Sequence, residues 1–202
     1  MTATSVVACG ALAAELRAVL GQLGLGDEVE VRYLPANLHN RPDEIPARVQ
    51  EAIAAVGSDH VVVAYADCGT GGLLDAALPD GVSRLPGAHC YEFFAGSELF
   101  ASLHDAEPGT FYLTDFLAKH FDALVWQSLG LDRHPSLRDM YFGNYTRLVL
   151  LSQSDDPGLV ALGERAAGLL GLRFEHRHVG LTPFTEAVSV AFRSADAATG
   201  GR

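Results

Sequence analysis

Three cysteines are the only thiols in this 202-residue chain, and each stands where a strand is expected to end or a new element to begin. Cys9 closes SVVACG, Cys68 closes HVVVAYADCG, and Cys90 lies in LPGAHCYEFF. In an open parallel α/β sheet, ligands bind just outside the carboxyl ends of the strands. Two strand-end cysteines, each followed by glycine, are therefore aimed at one crevice, and the third can reach it from a loop. Three thiolates around one point can hold a metal ion with one position open. They can also make a nucleophile with thiol helpers. Glycine after a strand-end cysteine lets the chain turn sharply and leaves room for a ligand. A thiol just ahead of a helix also feels the positive end of its dipole, which favours thiolate. The plain alternative is a buried cysteine acting as a small hydrophobe. Two cysteines in matching positions weigh against it.

Other residues can join this chemistry. His89 precedes Cys90 directly, and neighbours in sequence rarely ligate one metal together. Cys90 is therefore the expected ligand, and His89 a proton-transfer or supporting group. LHNRP (38–42) follows the second expected strand and so points to the same sheet end. Its His39 suits a fourth ligand, a general base or a substrate anchor. Asn40 can donate a hydrogen bond and Arg41 can bind a carboxylate. CGTGG (68–72), with Gly69, Thr70 and Gly71, resembles a shortened anion-cradling loop. It lacks the lysine of a nucleotide-binding loop, so the reading is a close-approach loop beside a thiolate. YEFFAG and GTFYLTDF bring aromatics together with Glu92, Tyr112, Thr114 and Asp115. Phe93, Phe94, Phe111 and Phe116 read as core, whereas Tyr112 and Thr114 are candidates for a pocket wall. His176 and His178 alternate on one expected strand and face one side. A solvated edge strand explains them more simply than a metal pair.

The elements that must position these groups follow from hydrophobic periodicity. Residues 4–8 form an apolar strand. Residues 11–24 carry Leu12, Leu16, Val19, Leu20 and Leu23 at helical spacing. Residues 28–34 alternate as a strand, and 46–56 form a helix opened by Pro46. Residues 60–66 form an apolar strand suited to cover on both faces. A helix follows around Leu73–Leu78, then a loop over 79–87. Residues 88–104 and 109–131 read as mainly helical and aromatic, the second beginning as a strand end or turn. Residues 132–144 read as a polar connection. Residues 146–153 form a strand, 155–171 a helix with Pro157 in its first turn, and 172–180 another strand. A short closing helix and a frayed tail from residue 195 complete the chain. The fold class is α/β, a mostly parallel sheet with helices on both faces. It reads as one domain over 1–194, or as α/β lobes of 1–87 and 88–194 around a crevice.

Composition narrows the functions. A 49% hydrophobic and 19% charged chain has the balance of a soluble globular protein. The formal net charge of −11 repels nucleic acid and anionic membranes, which leaves a small-molecule substrate as the expected partner. The first residues lack the basic region of a secretion signal, and no apolar run is long enough to span a bilayer. A cytoplasmic location is expected, where three thiols read as metal-binding or catalytic and not as a disulfide set.

In order, ACGALAAEL, LHNRPDEIP, YADCGTGG, HCYEFFAG and GTFYLTDFLAKH resemble the family known as domain of unknown function 1638, over about residues 5–180. The resemblance implies a soluble, cytosolic α/β protein with three recurring cysteine positions, matched by Cys9, Cys68 and Cys90. It also implies a link to corrinoid-dependent methyltransferases, and so a corrinoid or methyltransferase protein as partner. Relatives often carry an acidic residue between the histidine and cysteine of the fourth motif; here His89 and Cys90 are adjacent.

Three readings follow. The first is a metal site of Cys9, Cys68 and Cys90. Zinc there would activate a thiol in one-carbon, methyl or thiol metabolism; a site-differentiated [4Fe-4S] cluster would suit a lyase or dehydratase. His39, His89 and Tyr112 would then serve catalysis, and Gly69, Thr70 and Gly71 the bound group. The second is a metal-free cysteine-dependent enzyme. The third is a metallochaperone or a docking partner for a corrinoid protein.

Overall fold

The computed structural model describes residues 4–58 and 60–199. The chain divides into two compact units. One comprises the residues up to Phe93 together with those from Thr182 onward, and the other runs from Phe94 to Leu181.

In the first unit, β1 (Thr4–Cys9), β2 (Val29–Leu34), β3 (His60–Ala64) and β4 (Ser83–Arg84) form one parallel sheet in the order β2-β1-β3-β4. The burial of each strand follows its place. Central β1 and β3 are apolar almost throughout and buried on both faces, as parallel strands under helices must be. Edge strand β2 alternates, with Glu30 and Arg32 exposed. α1 (Ala13–Gln22) buries Leu16, Val19 and Leu20. α2 (Ile45–Val56) buries Ile45, Val49 and Ala52, with Pro46 in its first turn and Gly57 closing it in the left-handed conformation. Each fully buried valine of β3 contributes about 1.5–3 kcal/mol through apolar burial.

After β1 the chain turns one way to β2, then returns across β1 to β3. The strand order therefore reverses between β1 and β3. Such a switch point opens a crevice outside the carboxyl ends of the two strands. Ala8 pairs with Ala64 in register, so Cys9 stands at the rim of that crevice.

The loop expected over 79–87 contains β4, which pairs in parallel with β3 at Val62 and Val63. Two residues are too short for a periodic signal. The closing helix, expected to be short, is α9 (Thr182–Thr199). It packs on β3, β4 and α1 and buries Phe184, Val188, Ala191 and Ala195, a single helical stripe. The tail expected from residue 195 is therefore helical through Thr199, and its last three residues lie outside the described ones.

The segment expected to be helical over 88–104 forms α3's successors after α3 (Leu73–Ala77): α4 (Cys90–Ala95) and α5 (Ser97–Ala106), broken at Gly96 with φ +81°. In the second unit, β5 (Thr110–Leu113) stands where a helix or strand end was expected, because its residues pair with β6 (Arg147–Ser152). β7 (Arg173–His178) completes a parallel sheet in the order β5-β6-β7. α6 (Asp115–Lys119) and a π-helical turn (Asp122–Gln127) follow β5. The polar connection expected over 132–144 contains α7 (Leu137–Phe142), which sends Phe142 into the core beside Leu113, Leu131 and Leu148. α8 (Gly158–Leu170) covers the sheet through Leu159, Ala166, Ala167 and Leu170. No helix among the described residues is long and apolar enough to cross a membrane.

α8 carries two glycines with opposite consequences. A Cβ at Gly163 would lie 2.6 Å from Phe174 Cε2, so helix and sheet meet there too closely for a side chain. A Cβ at Gly168 would meet nothing within 4 Å. We expect Gly168→Ala to stabilise the protein by up to about 1 kcal/mol through helix propensity. Gly163→Ala should destabilise it by about 1–3 kcal/mol through overpacking, despite the same propensity gain. Paired denaturant titrations check both signs.

Candidate functional site

The three thiols gather at the carboxyl end of the first unit's sheet, each held by its own local device. Cys9 ends β1, and its Sγ accepts a hydrogen bond from the N–H of Ala11 at 3.4 Å as the chain enters a 3-10 turn over Gly10–Leu12. Gly10 makes that turn feasible, since a Cβ there would sit 2.8 Å from the Leu34 carbonyl oxygen.

Cys68 lies four residues past the end of β3, which stops at Ala64 and not at residue 66 as the sequence suggested. Its φ of +52° is the only positive value at a non-glycine among the described residues. Such backbone costs about 1–2 kcal/mol and persists only where neighbours enforce it. The neighbours are clear. The N–H groups of Asp67 and Cys68 donate to the carbonyls of Gly87 and Ala88 at 3.1 and 2.9 Å. The Asp67 carboxylate accepts from the Thr70 hydroxyl at 2.7 Å and from the N–H groups of Gly71 and Gly72 at 3.0 and 2.8 Å. These bonds, Thr70's first, hold the Asp67 carboxyl below its usual range. The donors of the CGTGG loop are thus turned onto the protein's own carboxylate. Gly69 packs near Pro42, which brings the LHNRP turn beside this loop.

Cys90 is the first residue of α4. The strand-like pairing of 67–68 with 87–88 carries it to Cys68, and the backbone of Ala66 and Cys90 lowers the pKa of that thiol against the larger effect of burial. Arg84 fixes the approach. It grips Asp75 with bonds of 2.6 and 2.8 Å and donates to the carbonyls of Leu85 and Gly87. Glu92 accepts from the N–H of Ala88 at 2.9 Å.

His39 sits in a 3-10 turn over Ala36–Asn40, with Nδ1 3.7 Å from Cys9 Sγ and 3.2 Å from the Ala36 carbonyl oxygen. Its Nε2 is buried and has no hydrogen-bond partner. Donation from Nδ1 to Ala36 leaves Nε2 as a free lone pair. Burial lowers the His39 pKa, against the smaller opposing effect of the bond to the Ala36 carbonyl. His89 packs at 6.2 Å from the Tyr91 ring.

Tyr65 was not singled out from the sequence, where it read as part of an apolar strand. Its ring lies parallel to that of His39 at 6.2 Å, and its hydroxyl interacts with the Cys9 thiol without a well-aligned hydrogen bond. The signal was available: a tyrosine in an otherwise aliphatic run must place its hydroxyl somewhere polar. Burial and the Cys9 charge push its pKa up.

Burial pushes the Cys9 thiol up to about 11 and the Cys68 thiol up to about 12, the latter helped by the charge of Cys9. Cys90 is part-exposed as a residue, yet its thiol is also raised by burial and then by the charges of Cys68 and Cys9. The three sulfurs therefore share one low-dielectric neighbourhood. Among the described residues, no three His, Cys, Asp or Glu side chains stand in ligand geometry.

The remaining candidates have other surroundings. Arg41 pairs with Glu44 at 3.2 Å in solvent. Phe93 and Phe94 are core, as expected. Tyr112 belongs to the second unit, buried on β5 with its ring 5.3 Å from that of Phe100. Thr114 caps α6 by accepting from the N–H of Leu117 at 3.3 Å.

An open parallel α/β sheet with three cysteines at its carboxyl end defines the class of this protein. The chain belongs to the family described as protein of unknown function (DUF1638), whose model matches residues 33–188. Cys68 and Cys90 fall within that span and Cys9 precedes it. No curated protein and no solved structure matches the chain.

The raised thiols have a measurable consequence. Folding keeps protons on Cys9 and Cys68 that an unfolded chain releases above about pH 9. Their contribution to stability is full below that pH and is lost as pH rises toward 11 and 12. We expect the metal-free protein to lose stability progressively across this window, and Cys68→Ser to flatten the decline. At pH 8, Cys9 should alkylate roughly 100-fold more slowly than a free cysteine, because two pH units separate their pKa values. Melting curves against pH and iodoacetamide kinetics measure both.

Proposed function

We propose that Cys9, Cys68 and Cys90 hold a zinc ion, and that the protein is an enzyme or accessory protein acting on a small thiol in cytoplasmic one-carbon or thiol metabolism. The observation that carries this reading is the gathering of all three thiols at the strand-order reversal of a parallel sheet.

The donor set suits such an ion by its chemistry, and binding would have to draw the three sulfurs into the ligand geometry that they do not have here. Sulfur ligands select zinc, copper(I) or iron–sulfur clusters and reject magnesium and calcium, which take oxygen. The orphaned Nε2 of His39 belongs to the same neighbourhood. A histidine that donates one ring nitrogen to a backbone carbonyl presents the other as a lone pair, ready for a metal or a proton. Zinc held by three sulfurs keeps a bound substrate thiol ionised at neutral pH. In this reading His39 Nε2 takes the substrate's proton, Tyr65 orients the Cys9 sulfur, and the Asp67-bound loop holds Cys68 in place. Raised thiol pKa values weigh against the metal-free alternative, since a nucleophilic cysteine needs a lowered one.

Anaerobic purification with elemental analysis and a visible spectrum tests the assignment. We expect about one zinc per chain and a colourless protein. Cys68→Ser should lose most of the metal while keeping its circular dichroism, because sulfur-to-oxygen replacement barely changes volume. A brown protein with stoichiometric iron would move the same three cysteines to a cluster. A metal-free wild type, or full metal retention in Cys68→Ser, would overturn the site.

A further inference from the structure

The second unit carries a separate constellation. Ser152 ends the central strand β6 and is buried, and its Oγ lies 2.9 Å from His176 Nε2 and 3.2 Å from His178 Nδ1. The two histidines alternate on edge strand β7, and register places Ser152 opposite His178. His178 Nε2 lies 3.6 Å from the Asp155 carboxylate. A cavity of about 190 Å³ opens here, walled by Ser152, Asp155, His176 and His178 on one side and by Pro157 and Val160 of the α8 start on another.

Hydrogen-bond logic orders the protons. With Asp155 3.6 Å from Nε2 of His178, beyond hydrogen-bond distance, the order that suits catalysis puts the ring proton on Nε2 and leaves Nδ1 as acceptor. Ser152 has one hydroxyl proton and gives it to Nδ1. Its lone pair then accepts the N–H of His176 Nε2. The result is a hydrogen-bonded chain His178–Ser152–His176, with the exposed Asp155 carboxylate 3.6 Å from its outer end. A metal cage does not fit this order, because Asp155 and Ser152 address opposite nitrogens of one ring.

The loop after Ser152 is fixed from below. The buried Asp115 carboxylate accepts from the N–H groups of Gln153 and Ser154 at 2.8 and 3.0 Å, and Gln153 Oε1 accepts from the Asp115 N–H at 3.0 Å. The Ser152 carbonyl accepts from the N–H groups of Val179 and Gly180. The hydroxyl therefore sits on a rigid strand end, as a nucleophile requires.

We propose that Ser152 is the nucleophile of a second, hydrolytic centre that acts on small acyl esters, with His178 as general base, Asp155 as its orienting group and His176 as a donor to the serine oxygen. Ser152 Oγ bonds to the acyl carbon and its proton passes to His178 Nδ1. The bond from carbon to the leaving oxygen then breaks, and that oxygen departs as the alcohol with the proton. Water hydrolyses the acyl-serine to the free acid and restores the hydroxyl. The apolar wall of Pro157, Leu159 and Val160 suits a short alkyl chain on the acyl group. None of the three cysteines takes part.

A fluorophosphonate probe tests this on the full chain. The serine oxygen displaces fluoride from phosphorus, and the proton leaves through His178. We expect one adduct, which peptide mass spectrometry places on Ser152, and none in Ser152→Ala. His178→Gln should slow labelling by at least about 100-fold, the order of a lost general base. Asp155→Asn should slow it by about 10-fold; this side chain is 96% exposed, so the fold cannot depend on it. Circular dichroism accompanies each variant. An unlabelled Ser152 in folded wild type, or labelling unchanged in both His178→Gln and Asp155→Asn, would overturn the proposal.

Discussion

The left-handed backbone of Cys68 is the constraint on which the first unit's site depends. A regular extension of β3 would carry residues 65–68 straight out of the sheet, and the cysteine would point away from its partners. The reversed φ turns the chain back, so that Asp67 and Cys68 pair with Gly87 and Ala88 and bring the start of α4 within reach. Asp67 holds the turn from inside by collecting the donors of Thr70, Gly71 and Gly72. Glycine would adopt this φ more easily than cysteine does. The thiol therefore occupies this conformation against backbone preference, enforced by the bonds around it.

Much of this organisation was legible in the sequence. The apolar runs of β1 and β3, the alternation of β2 and the proline-opened helix α2 are local signals, and they gave a parallel α/β fold directly. The placement of His39 near Cys9 followed from its position after a parallel strand. Other parts depend on partners distant in sequence. β4 is two residues long and exists only because β3 offers an edge. β5 reads as the prelude to a helix until β6, more than thirty residues later, supplies its ladder. α7 lies in a segment whose polar composition hides one buried phenylalanine. The pairing of Cys68 with Cys90 rests on a left-handed residue that no periodicity encodes. His176 and His178 were read as facing one side, which they do; the buried serine they share lies on another strand.

The two sheet ends solve different electrostatic problems. At the first, thiols are packed with Tyr65 and His39 away from water, and burial favours their neutral forms. Any ion that replaces those protons gains a dry setting in which its field is little screened. At the second, the imidazoles lie on an exposed edge strand and only the serine between them is buried. Proton exchange with solvent is then open from the histidine side, while the hydroxyl keeps a fixed position.

The return of α9 to the first unit bears on how the protein is made. Residues 94–181 form a unit that is continuous in sequence, whereas the first unit is assembled from segments on both sides of it. The first unit cannot close until α9 arrives to cover β3 and β4. At translation rates of about 5–20 residues per second, roughly ninety intervening residues leave it open for about 5–20 s. During that interval Cys9, Cys68 and Cys90 lack the packing that later raises their pKa values, and they meet the cell's ions and oxidants as ordinary thiols. Until α9 is in place, the thiols of a nascent chain are thus most open to oxidation.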